Sequence, residues 1–139
     1  MGKQDVLMVR GQERVQRTLR WLQMHDRTYR ITLDSPAGLV DATGRDLFAA
    51  LQDVRRALEG SGWVVAVQGS RVDTYPSGMV RDMLGGSRVY VLQMGRHVDR
   101  EHLVDTFARA DVTQIGTVDE QIEFYRQWRM SRASTPSPD

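Results

Sequence analysis

Residues 29–67 read YRITLDSPAGLVDATGRDLFAALQDVRRALEGSGWVVAV, and the order of patterns within them decides the fold class. Tyr29, Ile31 and Leu33 alternate with polar residues, which is the period-two pattern of a half-buried strand. Residues 35–38 then contain Pro and Gly in a turn pattern, and residues 39–42 return as a second short strand. The stretch therefore begins with a predicted β-hairpin.

A helix is predicted directly after this hairpin. Thr43, Gly44 and Asp46 supply residues suited to a loop and a helix cap, so the helix is expected to begin after Asp46 and to end at Gly60. Apolar residues recur at helical spacing between these two positions, at Leu47, Leu51, Val54 and Leu58. Residues 63–67 follow as a continuous apolar, mostly β-branched run, which predicts a central strand covered on both faces. Residues 89–92 predict a similar strand.

Two more helices are predicted towards the C-terminus. Asp99 is placed to cap a short one, and its inward residues would be Leu103, Val104 and Phe107. Residues 117–120 form a capping box for the final helix. One side of that helix would carry Val118, Ile122, Tyr125 and either Trp128 or Arg129. This order predicts an α+β fold with an antiparallel or mixed sheet of about four strands and helices packed mainly on one face.

The first 28 residues differ from the rest because basic residues outnumber acidic ones there. Two interpretations are open: a helix over residues 11–24, or a strand over residues 17–24 that turns at residues 25–27. In the helix, Arg10, Arg14 and Arg17 would form a basic stripe suited to a nucleic-acid backbone, or simply a solvated face. The predicted division is a basic segment at 1–28, an α+β domain at 29–130 and a disordered, Ser- and Pro-rich tail at 131–139.

Composition limits the possible functions. The chain has 139 residues, 40% hydrophobic content and a net charge of +1, which suits one domain and gives no general argument for nucleic acid. It has no cysteine, which excludes disulfides, cysteine-ligated zinc and thiol chemistry. Its histidines lack zinc-binding spacing, so we expect no metal and no cofactor. Neither a membrane span nor a signal peptide is recognisable, so we expect a soluble, cytoplasmic protein.

A long connection, residues 69–88, joins the last two predicted strands and carries the candidate site. Ser77 is placed to cap a short helix that ends at Gly85 or Gly86. The arginines suit a phosphate or carboxylate, and the candidate ligand-binding residues are Arg71, Asp73, Tyr75, Ser77, Gly78, Arg81, Asp82 and Arg88. In the alternative interpretation, the arginines and aspartates of the loop only pair with one another or with solvent. The nearby methionines, interpreted as core residues that fill gaps, are Met79, Met83 and Met94.

The sequence of this loop resembles the core of a family of short uncharacterised proteins from high-GC Gram-positive bacteria. The shared pattern is Arg71, Asp73 and the run Tyr75-Pro76-Ser77-Gly78-Met79, followed by Gly85-Gly86. The resemblance covers residues 29–128. Leu84 departs from it where a third glycine is expected, which would stiffen the end of the helix. The family has no established activity, so the resemblance directs attention to the loop without implying a reaction.

Three functions are open. The leading hypothesis is a non-catalytic interaction or ligand-sensing module, in an immunity or regulatory role, whose 69–88 loop binds an anionic ligand or a protein partner. Arg71→Ala and Arg81→Ala would then weaken binding with little effect on the melting temperature. The second is a small enzyme acting on a phosphorylated or carboxylated metabolite, with Asp73 or Asp82 as general base. The third is nucleic-acid binding through the basic N-terminal segment. A homodimer is compatible with each of these functions, and no membrane partner is expected.

Overall fold

The computed structural model describes residues 1–133, which form eight β-strands and three α-helices. The strands are β1 (Gly2–Arg10), β2 (Glu13–Gln23), β3 (Tyr29–Ser35), β4 (Gly38–Gly44), β5 (Val64–Val65), β6 (Thr74–Tyr75), β7 (Arg88–Val91) and β8 (Leu103–Asp105). The helices are α1 (Leu47–Glu59), α2 (Gly78–Leu84) and α3 (Val118–Ala133). Short 3-10 helices lie at Gln68–Ser70, Arg100–His102 and Val112–Gln114. The protein therefore has the predicted α+β class.

The strands form two antiparallel sheets. The larger has five strands in the order β4-β3-β2-β1-β5, and the smaller has three in the order β6-β7-β8. The larger sheet has more than the predicted number of about four strands. The prediction counted only strands from residue 29 onward, and residues 2–23 form two more.

The helix predicted over residues 11–24 is wrong, since this segment belongs to a β-hairpin. β1 pairs along its whole length with residues 13–21 of β2. The alternative interpretation, a strand that turns at residues 25–27, is confirmed, because β2 ends at Gln23 and Arg27 in the turn has a φ of 69°. Side chains three residues apart in a strand point to opposite faces, so Arg14 and Arg17 do not form a basic stripe.

α1 packs on one face of the larger sheet and encloses the main core. The Asp46 side chain accepts a hydrogen bond from the backbone N–H of Ala49 at 2.8 Å, so the predicted cap is confirmed. The predicted apolar stripe is buried against residues of the sheet that include Met8, Leu19, Ile31 and Leu33. α1 ends before Gly60, but Gly60 is right-handed with a φ of −65°, and the positive φ of 79° lies at Gly62.

The run predicted as a central strand at residues 63–67 is at the edge of its sheet. Only Val64 and Val65 pair within this sheet, both with β1, and Val67 forms an isolated antiparallel bridge with Arg109. Beyond them the backbone N–H of Gln68 donates to the carbonyl of Ala108 at 2.7 Å, so the chain turns aside to run next to residues 106–110. The run is nevertheless buried apart from the half-buried Val64. An apolar run therefore indicates that a segment is buried, and it does not indicate how many strands pair with that segment.

The last third of the chain departs from one prediction and confirms another. Asp99 accepts a hydrogen bond from the backbone of Glu101 at 3.0 Å, but only a 3-10 turn follows before β8, so the predicted helix is wrong. The capping box of α3 forms as predicted, with Thr117 N to Glu120 Oε1 at 2.8 Å and Glu120 N to Thr117 Oγ1 at 3.0 Å. Residues 131–133 of the predicted tail belong to α3, and the rest of that tail lies outside the described residues.

Gly44, the last residue of β4, lies against the first turn of α1. A Cβ at this position would stand 2.6 Å from the backbone nitrogen of Ala50. We expect Gly44→Ala to force the helix away from the sheet and lower the free energy of unfolding by about 1–3 kcal/mol.

Gly60→Ala is the matched control, because a Cβ there would meet nothing within 4 Å and its φ of −65° suits alanine. Urea denaturation of both variants provides the measurement. An equal loss of stability in the two would contradict the close approach of β4 and α1.

Candidate functional site

The 69–88 loop is ordered by its own hydrogen bonds and by the smaller sheet. β6 pairs with β7, which places the middle of the loop in that sheet. The Ser77 side chain accepts a hydrogen bond from the backbone N–H of Val80 at 3.1 Å, and Gly85 ends α2 with a φ of 62°. The predicted short helix, its cap and its left-handed end are therefore confirmed.

Arg71 and Asp73 form a bidentate pair within the loop. Arg71 Nε lies 2.8 Å from Asp73 Oδ1, and Nη2 lies 2.8 Å from Oδ2. The remaining Nη1 donates to Gln68 Oε1 at 3.0 Å. The guanidinium therefore already has a carboxylate partner, and an anionic ligand would have to displace it. The same pair occupies both oxygens of Asp73, which is one of the two candidate general bases beside Asp82.

Arg81 pairs with a carboxylate outside the loop. Its Nη1 lies 2.7 Å from Asp46 Oδ2, and the two side chains are only 12% and 2% exposed. The guanidinium carbon also lies 5.3 Å from the ring centre of Phe48. Next to this pair, the backbone N–H of Leu47 donates to the carbonyl of Gly85 at 2.8 Å. These contacts hold α2 against the N-terminal end of α1.

The remaining candidate residues do not meet at one place. Arg88 forms an exposed ion pair with Asp105, with Nε and Oδ1 3.2 Å apart. Asp82 is exposed on α2. Three other candidates line a cavity of about 220 Å³, and these are Tyr75, Ser77 and Gly78. The alternative interpretation, pairing within the loop, thus holds for Arg71, whereas Arg81 and Arg88 pair with carboxylates of other segments.

A buried polar cluster that no sequence motif indicated lies beneath the loop. It consists of Arg55 from α1 and Gln121 from α3, and we call it the Arg55–Gln121 cluster. Arg55 is 5% exposed, and its Nη1 donates to Gln121 Oε1 at 2.6 Å. Its Nη2 donates to the carbonyl of Gly116 at 2.8 Å, and longer contacts reach the carbonyls of Gly69 and Ser70 at 3.4 and 3.3 Å. Burial lowers the pKa of Arg55 to about 10, so the group is charged at neutral pH.

Gln121 extends this cluster to the backbone of the loop. Its Nε2 lies 2.9 Å from the carbonyl oxygens of Gly69 and Arg71 and 3.1 Å from that of Thr74. An amide nitrogen has two hydrogens to share among these acceptors. The cluster therefore satisfies buried carbonyl groups of residues 69–74 that would otherwise need strand partners.

Helical spacing could have located both residues of the cluster. Arg55 follows Leu51 by four positions and precedes Leu58 by three, so it lies on the buried face of α1. Gln121 follows the buried Val118 by three positions. A polar residue within an apolar stripe was the available signal, and it indicates a buried hydrogen-bonding group rather than a break in the stripe.

α2 exposes most of its apolar residues. Met79 is 52% exposed, Met83 76% and Leu84 45%, whereas Val80 is buried. We call Met79, Met83 and Leu84 the α2 apolar face. The interpretation of the methionines as core residues is wrong, and it is wrong for Met94 as well, which is 45% exposed. The reason is that Val80 and Arg81 occupy the side of α2 that faces the protein.

A larger cavity of about 350 Å³ lies between the C-terminal end of α1 and the start of α3. Trp63, Glu59 and Glu120 are among its lining residues. Glu59 Oε1 accepts a hydrogen bond from the backbone of Val118 at 3.0 Å, and Glu120 Oε1 accepts one from that of Thr117 at 2.8 Å. These carboxylates therefore act as caps of α3. None of the predicted site residues lines this cavity.

Comparison with known proteins adds no family: no protein-family model matches the chain, and no curated protein is similar to it. The resemblance to short Gram-positive proteins stays a prediction. Within residues 1–133, no group of three or more His, Asp or Glu side chains is arranged to hold a metal ion. In that same part of the chain, no helix has the length and apolar character needed to cross a membrane.

Gln121→Ala is expected to lower the free energy of unfolding by about 2–4 kcal/mol, because it removes the closest acceptor of Arg55 Nη1 and the amide donor that the loop carbonyls share. Gln127→Ala, at an exposed position of the same helix, is the control and should change it by less than about 0.5 kcal/mol. Urea denaturation measures both. Equal effects would show that the cluster does not hold the loop.

Arg81→Ala is expected to destabilise the fold, contrary to the expectation that this arginine serves only binding. The buried carboxylate of Asp46 loses its close partner, so the loss should be roughly 2–4 kcal/mol. Arg88→Ala breaks an exposed pair and should cost less than about 1 kcal/mol. Chemical denaturation of both variants tests this, and Asp46→Asn in the Arg81→Ala background should recover part of the loss.

Proposed function

We propose that the protein is a non-catalytic interaction module that binds a protein partner through the 69–88 loop, with the α2 apolar face as the contact. The observation that carries the proposal is the exposure of Met79, Met83 and Leu84 on one short helix. Methionine is flexible and polarisable, and it is used at surfaces that adapt to the shape of a partner.

The attachment of α2 supports this role. The Ser77 cap, the left-handed Gly85 and the Arg81–Asp46 pair fix both ends of the helix and one side of it. A helix that is already fixed loses little conformational entropy when a partner binds, so more of the contact energy remains as affinity.

The state of the arginines favours a protein partner over a small anion. Arg71, Arg81 and Arg88 each have a carboxylate within ion-pair distance, at 2.8, 2.7 and 3.2 Å. An anion bound at any of them would replace an existing interaction, and the net gain would be small. The apolar face of α2 has no such competitor among the described residues.

The charge beside this face suggests the chemistry of the partner. Asp82 lies between Met79 and Met83 in the sequence, is exposed, and forms no ion pair within residues 1–133. Interfaces commonly have an apolar centre and a polar rim. We therefore expect the partner to present an apolar groove with a lysine or arginine at its edge.

The two other functions receive less support from the geometry. Asp73 is paired with Arg71, Asp82 is exposed on α2, and neither lines the cavities described above, which does not favour an enzyme that uses them as a general base. Arg14 and Arg17 lie on opposite faces of β2, which does not favour a basic stripe for nucleic acid.

Crosslinking from the α2 apolar face tests the proposed function. A photoreactive benzoylphenylalanine replaces Met83 in one variant and Leu39 in the control, since Leu39 is 69% exposed on the edge strand β4. In cells that produce the protein, position 83 should give a discrete heavier adduct that position 39 does not give. Mass spectrometry then identifies the second component for purification.

The affinity of the purified partner decides whether the contact is specific. Met79→Glu combined with Met83→Glu should weaken it by about 30-fold or more, because the loss of a residue at the centre of an interface costs about 2 kcal/mol or more. The melting temperature should not change, and Leu39→Glu should bind like the unmodified protein. Unchanged affinity, or an adduct made only of two copies of this chain, would contradict the proposed function.

A further inference from the structure

The cavity of about 220 Å³ next to the first residue of α2 has an unusual composition. It lies between the smaller sheet and α3. Four aromatic residues contribute to its wall, and these are Tyr75, Tyr90, Tyr125 and Trp128. Among the described residues that line it, Arg132 is the only charged one. An aromatic wall with a single cation and no acid selects for a ligand with a ring and a negative charge.

The aromatic wall is already assembled without a ligand. Tyr75 and Tyr125 stack with ring centres 3.9 Å apart and planes at 8°, and Tyr125 and Trp128 follow at 5.9 Å and 22°. The indole N–H of Trp128 donates to the carbonyl of Arg96 at 2.9 Å, which fixes the orientation of that ring. A preformed wall of this kind is typical of small-molecule sites.

Arg132 differs from the arginines of the loop in its surroundings. Its guanidinium carbon lies 4.8 Å from the ring centre of Trp128. Its Nε is buried and has no hydrogen-bond acceptor within residues 1–133, and no carboxylate of that part of the chain pairs with it. Arg71 and Arg81, by contrast, are both paired. Within residues 1–133 the charge of Arg132 thus faces only an aromatic ring, and a bound anion would supply a hydrogen-bonding partner.

We propose that this cavity binds a small aromatic carboxylate, with its ring against the tyrosines and its carboxylate at the guanidinium of Arg132. The volume is below the range of about 300–1,000 Å³ for drug-sized ligands, so the ligand has a single ring. This proposal does not rest on the proposed function, because Met79, Met83 and Leu84 do not line the cavity.

Phenylacetate is the probe, and the side chain of Trp128 is the reporter. The protein has three tryptophans, so its ¹⁵N spectrum contains three indole N–H signals that can be assigned individually. Phenylacetate should shift the Trp128 signal in a saturable manner and leave those of Trp21 and Trp63 unchanged. Phenylacetamide, which lacks the charge, and acetate, which lacks the ring, should each bind at least tenfold more weakly.

Arg132→Gln should weaken phenylacetate binding at least tenfold, whereas Arg88→Gln, which removes a charge outside the cavity, should not. The variant with Met79→Glu and Met83→Glu should bind phenylacetate normally, so a failure of this proposal is distinguishable from a failure of the proposed function. The comparison of the three ligands is made on the unmodified protein and does not depend on any variant folding. The absence of a saturable shift at Trp128, or equal affinity for phenylacetate and phenylacetamide, would overturn the proposal.

Discussion

The buried guanidinium of Arg55 is the constraint on which the arrangement of this protein depends. A charge that is 5% exposed is tolerated only where oxygen atoms surround it, and the fold supplies them from Gly69, Ser70, Gly116 and Gln121. These acceptors come from two distant parts of the chain. One side chain of α1 therefore determines where the start of the loop and the start of α3 must lie.

α1 also fixes the other end of the same loop. Asp46, at its N-terminus, caps the helix through Oδ1 and pairs with Arg81 through Oδ2. The loop is thus held near its start by Arg55 and near its end by Asp46, nine positions earlier on the same helix. Both attachments use polar groups of the loop, and Val80 is the one buried apolar residue of α2, so Met79, Met83 and Leu84 are left facing outward.

The parts of the fold that could be predicted are those whose determinants are adjacent in sequence. Asp46, Ser77 and Thr117 each cap a helix that starts one position later, and all three caps form as predicted. The alternation in β3 likewise needs only its own residues. The N-terminal hairpin was missed because the apolar residues of β2 also fit a helical spacing, and only the pairing with β1 decides between the two.

The candidate site was predicted less well because its chemistry depends on distant partners. The residue types in the loop suggested an anion site, but the partner of Arg81 is 35 positions away and was interpreted only as a cap. The exposure of Met79 and Met83 follows from that pairing, so it could not be derived from the spacing of apolar residues. The sequence did predict that residues 69–88 form local structure, because a connection of this length in a small domain needs structure of its own.

The Arg55–Gln121 cluster has a consequence for the order in which the protein becomes native during synthesis. Strands β1 to β4 pair with their neighbours in the chain, and α1 follows immediately, so this part can form early. Gln121 stands 52 positions after Gly69, and the carbonyl groups that it satisfies stay without this partner until α3 has been made. A nascent chain on the ribosome therefore forms strands β1 to β4 and α1 first, and its 69–88 loop acquires the contacts with Gln121 only after α3 has emerged.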